Sequence, residues 1–139
     1  MTEAITLDPQ DPFDRVLIPI VETNRRKRLD YAKDGDPFSN FRATAKLLAV
    51  PGFGPTEASL FNVLQKLVRL ITLRENGRMD NPANEAVWDT YLDLAVYAVI
   101  TLALADESTR VKVVAGEGLN PLPHGVIYAT NDNAVTVKP

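Results

Sequence analysis

No cysteine occurs in the chain, and histidine occurs once. The first absence excludes disulfide staples, thiolate metal sites and cysteine nucleophiles. The second leaves only His124, between Pro123 and Gly125 in a loop-like stretch. A histidine metal cluster or a catalytic triad within one chain would need other residue types to supply the remainder. A dominant charge sign is missing too: 15 Lys and Arg stand against 18 Asp and Glu, net −3. The basic residues are scattered apart from Arg25–Arg28, so polymeric nucleic acid is not an expected partner. The most apolar run, residues 94–105, is shorter than the ~20 residues of a membrane span. The opening MTEAITLDPQDPFDR is acidic and polar, unlike a signal peptide. A cytoplasmic protein with no membrane partner is therefore expected. What is present is apolar sequence, 45% of 139 residues, enough for one domain with a real core.

The chain divides into an extended arm (1–12), a helical domain (13–107) and a β-rich tail (108–139). Phe13, Val16, Leu17, Ile20 and Val21 recur at helical spacing, and Pro19 either kinks this helix or marks its first turn. DGDPFSN, residues 34–40, is turn chemistry, after which Ser39 or Asn40 caps a short helix through Phe41, Ala45 and Leu48. Thr56 caps a long helix whose Leu60, Phe61, Val63, Leu64, Leu67, Val68, Leu70 and Ile71 predict a wide buried face. Gly77 stands where a helix should end, and Asn81–Pro82 predicts the start of a last helix running to about Ala105. RVKVVA and GVIYAT are rich in β-branched residues, and NDN then AVTVKP completes a hairpin pattern. The expected fold is mainly α: an antiparallel bundle of three to four helices with a short C-terminal β-hairpin appendage.

Three groups of side chains could carry chemistry. Glu85, Asp89 and Asp93 are spaced by four, which on a helix makes one acidic ridge, extended a turn by Tyr97. That ridge either faces water or holds something positive. Asp93 is embedded in YLDLAVYAVI, where a buried carboxylate costs several kcal/mol unless it meets a cation or hydrogen-bond donors. Hard cations such as Mg²⁺ take carboxylate oxygens, so the ridge is also a candidate metal site. The second group is Ser59, Asn62, Lys66 and Arg69, a polar stripe on the preceding helix. It is either a surface stripe, a set of partners for the acids, or a clamp for phosphate. The third is RRKRLDYAKDGDPFSNF, either a basic helix end and turn or a ligand group. There Asp30, Tyr31, Asn40 and Phe41 would read a base and Lys27 would meet phosphate. Trp88 and Tyr91 are either subunit contacts or core, with core preferred.

In order, K…DY, F.NF, a helix with LxKLxRL, and NE…WDTYLDLAVYA resemble small phage-encoded MazG-like proteins of the all-α NTP pyrophosphohydrolase superfamily. The resemblance covers about residues 22–104. It implies Mg²⁺-dependent hydrolysis of (deoxy)nucleoside triphosphates to monophosphate and pyrophosphate, in a homodimer or homotetramer. Carried over by position, Glu57, Asp89 and Asp93 would hold Mg²⁺, and Glu85 (with Asp89) would activate water. Lys27, Lys66 and Arg69 would neutralise phosphate. Asp30, Tyr31, Asn40, Phe41 and Tyr97 complete the substrate side. Two departures from the family pattern stand out: Thr90 occupies the place of a glutamate, and Leu60 and Phe61 leave the first helix without its second acid. The alternative they raise is a non-catalytic protein that binds or sequesters a nucleotide. A third reading is a structural protein whose β tail docks on a partner.

Overall fold

A computed structural model describes residues 6–114 and 136–137, and among these four helices carry nearly all the regular structure. The first, α1 (Pro12–Tyr31), starts one residue before the expected Phe13. Asp11 caps it by accepting from the Phe13 and Asp14 amides at 2.8 and 3.1 Å. Pro12 fills the first turn, where its missing N–H costs nothing. Pro19 therefore lies inside the helix, not in its first turn, and α1 continues past it.

Helix α2 (Ser39–Leu48) has no side-chain cap, contrary to the role expected of Ser39 or Asn40. The Ser39 hydroxyl instead donates to the Tyr31 carbonyl at 2.8 Å and accepts from the Lys33 amide at 2.9 Å. It closes the turn between α1 and α2. Helix α3 (Pro55–Glu75) is capped at Gly54 rather than at Thr56, and the Glu57 carboxylate reaches back to accept from the Gly54 amide at 2.8 Å. It ends as expected. Gly77 takes φ +63°, and the Arg78 amide bonds back to the Leu73 carbonyl at 2.8 Å.

Helix α4 (Val87–Val114) differs from expectation at both ends. It starts after Glu85 rather than at Pro82, because the Glu85 carbonyl is occupied by Arg69 and its carboxylate by Lys66. The segment before Val87 is held against α3. At the other end the helix runs through Val114, which overturns the strand expected over RVKVVA. β-Branched composition there yields to continuation of a long apolar helix, as context overrides strand propensity. The window Val87–Thr109 is long and apolar enough for a membrane span by length and composition, with hydropathy 1.4. It is longer than residues 94–105, but Asp93 inside it is held by two lysines.

Thr6–Leu7 (β1) pairs in parallel with Thr136–Val137 (β2), so the expected extended arm carries a short strand with Leu7 buried. Strand β2 falls within AVTVKP. GVIYAT, its expected hairpin partner, lies outside the described residues, as does His124.

Helix α3 runs antiparallel to α4: Ser59 meets Tyr97 and Thr101, while Arg69 meets Thr90. Helix α2 packs on α3, and α1 on α4. The buried core is Phe41, Ala58, Val96, Ile100 and Leu104, bordered by Ile20, Phe38, Phe53, Leu92 and Tyr97. The wide apolar face expected to be buried on α3 is turned outward instead. Leu60, Phe61, Leu64 and Ile71 are each about half exposed, and so are Trp88 and Tyr91, which were expected in the core. The physical reason is that the polar stripe of α3 finds its partners on α4, and those bonds decide which face turns inward.

Candidate functional site

Asp93 joins three helices. Its Oδ1 accepts from Lys27 Nζ of α1 at 2.6 Å, and its Oδ2 from Lys66 Nζ of α3 at 2.7 Å. Lys66 also reaches Glu85 at 3.4 Å. Burial alone would raise the Asp93 carboxyl. Hydrogen bonds and charge attraction from Lys27 and Lys66 outweigh it and hold the group below the usual carboxylate range. Burial likewise opposes the charge on Lys66, and Asp93 with Glu85 overcome it, so its pKa is raised. The acid that the apolar context of α4 makes costly is therefore matched by two cations.

Above this network Lys27 Nζ lies 4.7 Å from the Tyr97 ring centroid, a cation–π distance. Arg69 sits one turn further along α3 and donates to the fully buried Thr90 hydroxyl and to the Glu85 carbonyl. Ser59, also fully buried, donates to the Tyr97 carbonyl at 3.3 Å and accepts from Thr101 at 2.9 Å. The stripe Ser59, Asn62, Lys66 and Arg69 is thus an inward-facing seam rather than a surface feature.

Beside the seam lies a cavity of about 290 Å³. Helix α1 contributes Asn24, Lys27, Arg28 and Tyr31, a helical spacing of three to four. The turn and α2 add Pro37, Phe38, Asn40 and Phe41, α3 adds Asn62, and α4 adds Tyr97, Ile100 and Ala103. Among the described residues four aromatic rings, three carboxamides and two cations line it, and no carboxylate does. The Asn40 Oδ1 is buried with no hydrogen-bond partner among the described residues. An unmet buried acceptor costs about 1–3 kcal/mol.

The α2 wall is fixed by a separate polar chain. Asp36 accepts from the Phe38 amide at 3.0 Å and from Arg42 Nε at 2.8 Å, and Arg42 reaches Glu107 of α4 at 2.6 Å. The Phe38 amide first, and then Arg42, lower the Asp36 pKa. This ties Phe38 and Asn40 to α4 across the cleft.

The expected site residues separate into groups. Lys27, Tyr31, Asn40, Phe41 and Tyr97 come together around the cavity. Lys66, Glu85 and Asp93 form the neighbouring charge network, and Arg69 bonds at its edge to Thr90 and Glu85. Asp30 is exposed and does not line the cavity. Asn24 and Arg28 were missed in the sequence, although their spacing from Lys27 and Tyr31 on one helix face was a usable signal.

The acids do not assemble as a Mg²⁺ set. Glu57 bonds to its own helix start, Asp89 is exposed at the beginning of α4, and Thr90 takes the inward position one residue later. Both oxygens of Asp93 already face ammonium groups, which repel a divalent cation. Among the described residues no three His, Asp or Glu side chains converge as metal ligands do. Glu85, expected to activate a water, is engaged with Lys66.

No family model, curated protein or solved structure matches the chain. The functional reading therefore rests on the geometry of the cleft and its charge network.

Proposed function

We propose that the protein binds a nucleotide without cleaving it, in the cleft between α1, α2, α3 and α4. The observation that carries this reading is the cavity's lining: aromatic rings, carboxamides and cations, with the Asn40 acceptor unmet and no acid. Rings stack on a base, carboxamides read its edge, and ammonium and guanidinium groups meet phosphate. Such a protein would act by sequestering a nucleotide or by regulating an enzyme that uses one.

A catalytic version draws on one specific observation, that Glu85 and Asp93 both reach Lys66 and so lie close together. Mg²⁺-dependent pyrophosphohydrolysis would need Lys27 and Lys66 to leave Asp93. The outward apolar face of α3 supports a homo-oligomer, a dimer or tetramer in which a second copy completes the antiparallel bundle. A C-terminal hairpin belongs to the same proposal.

The test is a panel of nucleoside and deoxynucleoside triphosphates with Mg²⁺, read by pyrophosphate release and by thermal shift. A thermal shift without turnover is the expected result. Turnover that is lost in Asp93→Asn would favour the catalytic version, and no response to any nucleotide would overturn both.

A further inference from the structure

The charge inventory of the cleft limits how much phosphate it can take. Two cations line the cavity, Lys27 and Arg28. Lys27 is already shared with Asp93, while Arg28 makes no ion pair among the described residues. With Lys27 shared, Arg28 is the one lining cation without an ion pair among the described residues, so a single phosphate monoester, about −1.5 to −2 at neutral pH, is already as much charge as the cleft meets. A triphosphate carries more charge and is ordinarily met by Mg²⁺ held on one or two carboxylates. No carboxylate among the described residues lines this cavity, and Asp93, which shares Lys27 with it, is bonded to two ammonium groups.

Size points the same way. Small-molecule sites typically measure about 300–1,000 Å³. At about 290 Å³ this cavity is large enough for one ring system beside an anionic group. Asn24, Asn40 and Asn62 supply carboxamides that can meet the polar edge of such a ring.

We infer that the ligand is a nucleoside monophosphate, bound through Lys27 and Arg28 with no divalent cation. This rests on the nucleotide reading above and departs from the triphosphate that the motif order implies. Phosphate and base both contribute: the cations hold the first, and Asn40 with the surrounding rings holds the second.

Isothermal titration of the full chain tests it, using adenosine, guanosine, cytidine and uridine 5′-monophosphates in EDTA. The corresponding triphosphates with Mg²⁺, the free nucleosides and inorganic phosphate complete the set. One monophosphate is expected to bind in EDTA at least about tenfold more tightly than its Mg²⁺-triphosphate, its nucleoside or phosphate alone. Tighter binding of the Mg²⁺-triphosphate, or binding abolished by EDTA, overturns the monophosphate inference and leaves the nucleotide site standing. A nucleoside that binds as tightly as its monophosphate removes the role given to the cations and overturns the inference as well. No binding of any nucleotide under either condition overturns the nucleotide reading and this inference together. All arms use the unmodified protein, so none depends on a variant folding.

Discussion

Helix α3 has two sides that border hollows of different kinds. The inward side carries Ser59, Asn62, Lys66 and Arg69, and Asn62 helps line a cavity of mixed aromatic, amide and cationic character. The outward side carries Leu60, Phe61, Leu64 and Leu67, which line an open apolar hollow of about 410 Å³ together with Phe53, Glu57 and Val63. In most amphipathic helices the apolar stripe faces the chain's own core. Here the polar stripe does, because Lys66 meets Asp93 and Glu85, and Arg69 meets Thr90. Hydrophobic periodicity reports which residues leave water in the final assembly, and that assembly need not be one chain. The outward row is the kind of exposed patch that marks an interface.

The largest effect should come from charging the outward side. Leu64 is about half exposed, so Leu64→Arg should change monomer stability by only about 0.5 kcal/mol. It should weaken self-association by about 3 kcal/mol, more than a hundredfold, if that row is the subunit contact. Light scattering behind a sizing column should show the unmodified protein as a dimer or larger and the variant as a monomer. An unmodified protein that is monomeric at high concentration would show that the outward row is not a subunit contact.

On the inward side, Asp93→Asn leaves two ammonium groups without their shared carboxylate and should cost about 2 kcal/mol. Its pH dependence follows from the shifts. A lowered Asp93 pKa gives stability that is present above the unfolded value of about 3.9 and is lost as pH falls through the lower folded value. A raised Lys66 pKa gives stability that is present below about 10.4 and is lost as pH rises through the higher folded value. Melting curves should therefore show a constant difference between the unmodified protein and Asp93→Asn from about pH 5 to 9. The difference should shrink below about pH 4. A gap that changes through neutrality would argue against this pairing.

The smallest effect is expected at Thr90→Val, which keeps the shape but removes the acceptor for Arg69. A loss of about 1 kcal/mol in denaturant unfolding is expected, with the slope unchanged. A neutral result would mean that Arg69 is held by the Glu85 carbonyl alone.

Much of the architecture was legible in the sequence for local reasons. Gly77 after α3, the turn at DGDPFSN and the helical spacing of the apolar residues all act within a few positions. The start of α4 was not legible, because Asn81–Pro82 has the chemistry of a helix start while the bonds from Arg69 and Lys66 to Glu85 are tertiary. The orientation of α3 was missed for the same reason, since its apolar set reads as core only when nothing is known of partners for its polar set. At the site, YLDLAVYAVI called for a cation or hydrogen-bond donors at Asp93, and Lys27 and Lys66 are both. Spacing left open whether the acidic ridge faced water or a cation; Asp93 meets cations, whereas Asp89, placed at the site by the family resemblance, is exposed. The buried positions at this end of α4 go to Thr90 and Val96.

On the proposal made above, nucleotide would meet the inward side of α3 and not the outward side. The most direct measurement is a two-dimensional NMR titration with the nucleotides, following the side-chain amide signals of Asn24, Asn40 and Asn62 and the methyl signals of Leu60, Leu64 and Leu67. A nucleotide should shift the three carboxamides, Asn40 most of all, and leave the leucine methyls in place. Shifts confined to the leucines, or none at the carboxamides with any nucleotide at millimolar concentration, would contradict the account.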